Sequence, residues 1–322
     1  MSKGTAAAGG HLPLRQGARD SDAMPPGEAT PFPDGTAAAS EAARPRGESL
    51  RAADPATIAP HRWSQGAWVA GDAPLPPEEA AVAIVIDGAS QAVLMATPHD
   101  LADFALGFAL TEGLIASPAD VTDREIAQVQ PPAQLPGVPA YEARLWLRPG
   151  LASGLAERRR SMVGPVGCGL CGVDSIAAAL PQVVRVAEGA CLSPQDISRA
   201  MQALAAGQRR WRDTPAIHAA GFWSPAQAVV REDVGRHNAL DKLAGALADQ
   251  GIDARIGAIV MSSRLSVDLV QKTARIGASV LIGASTPTRL AIAWAEAAGI
   301  TLIGRARSEA FDLYTHPRRI KG

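Results

Sequence analysis

The apolar positions of the chain follow two rhythms. In the first, Val82-Ala83-Ile84-Val85-Ile86 is a short unbroken apolar run, Asp87-Gly88 reads as a tight turn, and Ala92-Val93-Leu94-Met95-Ala96 is a second run. That pattern predicts a β-hairpin. Pro98 then opens a helix in which Leu101, Phe104, Ala105, Phe108 and Ala109 make one apolar stripe, with Gly113 as its stop. Residues 117–138 are loop-rich, with one short strand from Glu125 to Val129. From Tyr141 to Leu147 apolar and polar residues alternate, as in a half-buried strand.

The second rhythm begins at Ser193 and Pro194, which start an amphipathic helix through Ile197, Met201, Leu204 and Ala205. Strands are expected at Ile217 to Trp223 and Ala228 to Arg231. Helices and apolar strands then alternate. A helix from Arg236 to Ala248 leads to a strand from Ile256 to Met261. One from Val267 to Gly277 leads to Ser279-Val280-Leu281-Ile282, and one from Thr288 to Ala298 leads to Thr301-Leu302-Ile303. Apolar, β-branched strands joined by helices imply a sheet with buried faces and right-handed crossovers. With the antiparallel strands of the first half added, the expected fold class is α/β, a mixed sheet with flanking helices. There is no internal repeat.

Residues 1–77 carry neither rhythm. Pro13, Pro25, Pro26, Pro31, Pro33, Pro45, Pro55 and Pro60 punctuate stretches of Ala, Gly, Ser and charge. Such a stretch buries too little apolar surface to offset the entropy of ordering it. It is expected to be a mostly disordered extension without chemistry, with Trp63 and Trp68 docking on the body. One domain is expected over 78–322, antiparallel over 78–165 and α/β over 166–322.

Composition narrows the function. Hydrophobic residues make up 47% of 322, enough for a buried core, and the net charge is −1. That balance gives no bulk signal for nucleic acid or an anionic membrane. Three cysteines cannot build a disulfide framework, and no leader pattern opens the chain, so a reducing cytoplasm is expected. No apolar run is long enough to span a bilayer.

Two stretches carry candidate chemistry. In Gly167-Cys168-Gly169-Leu170-Cys171-Gly172, two thiols stand just before a helix-like run, Val173 to Leu180. A helix N-terminus favours thiolate over thiol, and the glycines allow another molecule close to the backbone. Sulfur or redox chemistry is the leading reading; half of a zinc site and a purely structural loop remain open, although no second Cys pair completes a zinc set. Cys191 stands alone and reads as a small buried hydrophobe.

The second stretch is a set of three polar strand ends: Glu232-Asp233-Val234-Gly235-Arg236-His237-Asn238, then Ser262-Ser263-Arg264, then Ala284-Ser285-Thr286. Each leads into a helix N-terminus, where free N–H groups favour anions. Together they predict an anionic ligand pocket at the carboxyl edge of the sheet, although ordinary capping also accounts for Asp233 and Asn238. Phe311-Asp312-Leu313-Tyr314-Thr315-His316 reads as a terminal strand, and His61, His99 and His218 carry no signal.

Taken in order, five stretches resemble the formate dehydrogenase accessory sulfurtransferase family (FdhD). They are Ala105-Leu106-Gly107-Phe108 with Thr111-Glu112-Gly113-Leu114-Ile115, the Cys168–Cys171 loop, Glu232 to Lys242, Ser262-Ser263-Arg264, and Phe311 to His316. The resemblance runs from about Ala81 to the end; the first 77 residues lie outside it. It implies a cytidine-deaminase-like fold without the zinc chemistry, working as a homodimer in the cytoplasm. It also implies sulfur transfer from a cysteine desulfurase to a molybdenum cofactor, bis(molybdopterin guanine dinucleotide), destined for formate dehydrogenase. Cys168 would hold the persulfide and Cys171 would assist. Phe311, Asp312, Leu313, Tyr314, Thr315 and His316 would bind the cofactor, with Asp233, Arg236, His237, Ser262, Arg264 and Ser285 from the strand ends. That cofactor is cargo; no resident cofactor or metal is expected, and neither a nucleic acid nor a membrane is an expected partner. Ser263 stands where the family more usually has glycine, which narrows that turn. The alternative is a protein that binds and delivers the cofactor without sulfur chemistry. A redox dithiol is a weaker third reading.

Overall fold

The computed structural model describes residues 61–70, 76–131, 137–151, 182–307 and 309–322, all within one unit, Ser49–Gly322. The first described element is a hairpin, β1 (His61–Ser64) and β2 (Ala67–Ala70), inside the stretch assigned to the extension. Its turn, Gln65-Gly66, has positive φ at both residues (53° and 84°), the twist that suits a two-residue hairpin. Trp63 pairs across it with Trp68, ring centroids 5.3 Å apart and edge to face, both exposed.

The first rhythm builds a four-stranded sheet from β3 (Ala80–Ile86), β4 (Ala89–Ala96), β5 (Val121–Val129) and β6 (Ala140–Leu147), in the order β4-β3-β6-β5. Only β3 and β6 pair in parallel. The Asp87-Gly88 turn lies where the sequence places it, again with both φ positive. Val82, Ile84 and Ile86 cluster with Phe104, Ala105 and Phe108 of α1 (Leu101–Thr111). β5 starts four residues earlier than its apolar content suggests. Val121 to Glu125 is largely exposed, and backbone pairing to β6 holds it rather than burial.

The second rhythm builds a six-stranded sheet. In chain order it has α2 (Pro194–Gly207), β7 (His218–Trp223), β8 (Ala228–Asp233), α3 (Arg236–Asp249), β9 (Ala258–Met261), α4 (Val267–Ile276), β10 (Val280–Gly283), α5 (Arg289–Ala298), β11 (Thr301–Gly304) and β12 (Asp312–Leu313). The strand order is β12-β11-β10-β9-β7-β8. β9, β10 and β11 are parallel and wholly buried; β7 and β12 run against their neighbours. Residues of α3, α4 and α5 share one core cluster with the sheet, and residues of α2 share another.

The strands therefore do not join in one mixed sheet, as the sequence pattern suggests. They make two large sheets, each mixed, with α1 packed on the first, α3 on the second, and α1 packed on α3. The α1–α3 contact is close because both helices present glycine there. A Cβ at Gly107 would strike the Asp241 carbonyl oxygen, and one at Gly245 would strike that of Asp103.

Candidate functional site at the carboxyl edge of the six-stranded sheet

β8, β9, β10 and β11 point the same way, so their carboxyl ends share one edge. β7 and β12 run oppositely and bring their amino ends, His218 and Asp312, to that edge. At the usual strand spacing it is roughly 24 Å from β8 to β12. The three predicted strand ends thus lie on one rim. Cys168 and Cys171 lie outside the described residues.

At the β8 end, Asp233 is fully buried and fully used. Its Oδ2 lies 2.6 Å from Lys242 Nζ and accepts the Thr97 N–H at 3.0 Å; its Oδ1 accepts from Gly235 N–H (2.8 Å) and Asn238 Nδ2 (2.9 Å). Lys242 Nζ also donates to the Thr97 carbonyl at 2.8 Å, and burial holds its pKa below the usual range against the pull of Asp233. Asp233 has no oxygen left for a ligand. It holds the turn into α3, where Arg236 and His237 occupy the first helical positions. Its protein partners, Lys242 above all, account for Asp233; helix capping does not, because α3 starts without a side-chain cap.

Behind these residues lies a second buried group. Lys272 Nζ lies 2.9 and 3.0 Å from the Asp241 oxygens, 2.6 Å from Glu112 Oε1 and 3.0 Å from Thr111 Oγ1. Burial raises the Asp241 carboxyl to about 6; burial also pulls Lys272 down, but Asp241 and Glu112 together outweigh it and hold Lys272 above the ordinary lysine range. The bidentate contact supports an ionised pair at neutral pH.

In the middle of the rim, Ser262 Oγ accepts the Ala219 N–H at 2.8 Å, tying β9 to β7, and Ser263 is buried with its hydroxyl on the Arg264 carbonyl (3.1 Å). Arg264 projects into solvent. At the β12 end, the Arg305 guanidinium forks onto Asp312 at 2.5 and 3.0 Å, and the Tyr314 hydroxyl donates to Asp312 Oδ2 at 3.3 Å. Arg305 holds the Asp312 carboxyl below its ordinary range; burial and Asp312 push Tyr314 up. Ser285 is exposed, and its carbonyl accepts the Arg305 N–H at 3.2 Å.

The structure divides the Phe311 to His316 segment. Within it only Asp312–Leu313 forms a strand, shorter than the terminal strand expected, and a strand runs across the sheet rather than along its edge. Asp312 and the Tyr314 hydroxyl reach the rim. Phe311 and Leu313 pack against the core cluster on the α2 side. Thr315 is buried, donating to the Ile300 carbonyl at 2.7 Å and accepting the Leu302 N–H at 2.9 Å. His316 lies at the opposite edge, its Nε2 3.0 Å from the Glu296 carbonyl oxygen.

Of the three helix starts, α3 (N-cap Gly235) and α4 (N-cap Ser266) have no side-chain cap, whereas Thr288 Oγ1 caps α5 at 3.2 Å. Arg236 Nε, Ser266 Oγ and Gln271 Nε2 are buried without a protein partner at the first two. Uncapped N–H groups beside arginine suit an anionic or polar guest. Among the described residues, no group of His, Cys, Asp and Glu side chains has the makings of a metal site.

Several residues at this edge escape a sequence reading. Arg305 follows β11 much as Arg264 lies beyond β9, so a fourth strand end carries the same signal. Asp268 and Ser266 look like ordinary helix-start residues. His218 comes to the rim only because β7 pairs with β8. Cys191, expected to be buried, is exposed; it sits on an extended surface segment whose next residue, Leu192, turns inward instead.

Comparison with known proteins agrees with this architecture. The family model described as FdhD/NarQ matches residues 77–321. A sulfur carrier protein FdhD of Agrobacterium fabrum is 45% identical over 247 residues, 76% of this chain and 88% of that protein. The protein of the same name from Cupriavidus necator is 44% identical over 261 residues, 79% and 88% of the two chains. A crystal structure of a candidate formate dehydrogenase accessory protein from Desulfotalea psychrophila superposes with a TM-score of 0.61 at 22% identity, covering 82% of this chain and 98% of that one. By sequence over most of its length, the chain belongs to the FdhD/NarQ family.

Proposed function

We propose that this protein is a sulfur carrier serving formate dehydrogenase. Cys168 accepts sulfur from a cysteine desulfurase and passes it, with help from Cys171, to the molybdenum cofactor, bis(molybdopterin guanine dinucleotide). In the first step the Cys168 thiolate attacks the outer sulfur of the donor persulfide, forms a new S–S bond and releases the donor thiolate. The cofactor is cargo, held while the sulfur is delivered and then handed on. The exchange takes place in the cytoplasm, on a homodimer.

The observation that carries this reading is the match, over 76% of this chain and 86–88% of theirs, to proteins named sulfur carrier protein FdhD, at 42–45% identity. The polar rim supports it. A guanine dinucleotide brings phosphates and hydrogen-bonding rings, and the rim offers two uncapped helix starts with Arg236, Arg264 and Arg305. The likeness of fold to the Desulfotalea protein is compatible with the same role.

The test is intact mass after incubation with a cysteine desulfurase and cysteine, comparing the native chain with Cys168→Ala and Cys171→Ala. A reducible gain of about 32 Da, one sulfur atom, lost only in Cys168→Ala is the expected result. No gain in any sample, with a competent desulfurase, would favour a protein that binds and delivers the cofactor without carrying sulfur.

A further inference from the structure

The stretch Thr111-Glu112-Gly113 lies away from the rim, yet all three of its residues meet α4. Thr111 Oγ1 and Glu112 Oε1 accept from Lys272 Nζ at 3.0 and 2.6 Å. A Cβ at Gly113 would strike the Arg275 guanidinium, three residues further along α4. Lys272 also reaches α3, where both Asp241 oxygens accept from it at 2.9 and 3.0 Å. The Thr111 hydroxyl donates to Asp241 Oδ1 at 2.5 Å, and the Phe108 ring centroid lies 5.5 Å from Nζ. One buried ammonium thus joins α3 and α4 to the C-terminal turn of α1; Lys272 is 7% exposed and Asp241 2%.

The level of this group along the two helices gives it a consequence at the rim. Asp241 is the sixth residue of α3 and Lys272 the sixth of α4. At 1.5 Å per residue, both stand about 7.5 Å below the first residue of their helix. Hydrogen bonds between charged groups are short and directional. A cross-brace at equal depth in two neighbouring helices therefore sets the spacing of their starts. Both starts lack a side-chain cap. The buried atoms without a partner are divided between them: Arg236 Nε on α3, Ser266 Oγ and Gln271 Nε2 on α4. A single guest can satisfy atoms of both helices only if the two starts keep one separation.

We propose that Asp241 and Lys272 are positioning residues: their ion pair, held from α1 by Thr111 and Glu112, fixes the spacing at which α3 and α4 present their starts to one polar, anionic guest. Both act from below the rim rather than on the guest. The inference rests on the reading of the rim as the seat of a nucleotide-bearing cargo.

Charge and position give opposite signs for one substitution. Asp241→Asn removes a negative charge beneath the seat of an anion, so through the electrostatic field alone it would tighten binding. Loss of the brace weakens it. Binding of guanosine diphosphate, as a probe for the nucleotide part of the cargo, is measured by calorimetry on the full chain at neutral pH, with urea curves to establish that each variant is folded. Asp241→Asn is expected to bind about tenfold more weakly than native. Equal or tighter binding by the folded variant overturns the proposal. Thr111→Val loosens the brace without removing a charge, and it decides the matter if Asp241→Asn does not fold. It is expected to weaken binding about threefold, and native affinity in it overturns the proposal. If the native chain binds no guanosine diphosphate, the cargo reading of the rim fails on its own, and the helix starts are read directly. The backbone amide signals of Arg236 and Val267 in nitrogen-15 spectra are expected to move in Thr111→Val. Signals unmoved at both starts overturn the proposal.

Discussion

Asp233 shows how one carboxylate can look like a ligand and serve as a fastener. Its motif stretch, between a strand and a helix, has the composition of an anion site. Yet both oxygens are taken by Lys242, Thr97, Gly235 and Asn238, and its exposure is 0%. Lys242 is as deeply buried, and it also donates a hydrogen bond to the Thr97 carbonyl oxygen. Removing one member of a buried ion pair leaves the other charge uncompensated, at about 3–5 kcal/mol. Asp233→Ala should therefore lose about that much stability in urea denaturation. An unchanged midpoint would mean that Lys242 sheds its proton or finds solvent at little cost. Arg305 and Asp312 make the contrasting case at the other end of the rim: their pair is solvent-facing and screened, so it orders the site more than it stabilises the fold.

Among the elements, the α1–α3 contact decides the architecture. α1 covers the four-stranded sheet and α3 covers the six-stranded one, so their packing welds two sheets into one body. Gly107 and Gly245 let the backbones come within reach of each other. Arg231 adds a 2.7 Å ion pair from β8 to Asp103 of α1. Gly245→Ala places a methyl against the Asp103 carbonyl, and overpacking of this kind costs about 1–3 kcal/mol. Thermal unfolding should report the loss as a lowered midpoint. A midpoint equal to the native one would show that the two helices separate freely and that the glycines are not required by their contact.

Over the whole molecule, two buried groups give stability opposite dependences on pH. His237 is held at about 4 in the folded state against an ordinary 6.5. Between those values the unfolded chain binds a proton that the folded chain does not, so this contribution to stability rises with pH. Asp241 is raised from 3.8 to about 6, by burial first and despite Lys272. There the folded chain binds the extra proton, and stability falls as pH rises through the same window. In Asp241→Asn the second effect is gone. Stability from pH 4 to 6.5 should then climb more steeply than in the native chain, by up to about 1.4 kcal/mol per pH unit, read from urea midpoints at each pH. A slope no steeper than native would mean that Asp241 stays ionised throughout.

The local elements were legible because each is written in a short stretch. The Asp87-Gly88 turn, the Ser193-Pro194 helix start with its capping box, and the alternating strands and helices after Arg236 all appear where their residues place them. The strand ends were legible as a set, since the carboxyl edge of such a sheet follows from strand direction alone. What the chain's local patterns do not contain is which distant segments meet. The division into two sheets depends on glycines 138 positions apart lying against each other's helices. The pairing of His237 with Asp268, and the splitting of Asp312 from His316 across one sheet, depend on strand register and helix packing. A short-range pattern specifies a strand or a helix through its own backbone and side chains. Contacts between segments far apart in the chain come into being only when the whole core closes, and the tertiary structure alone decides them.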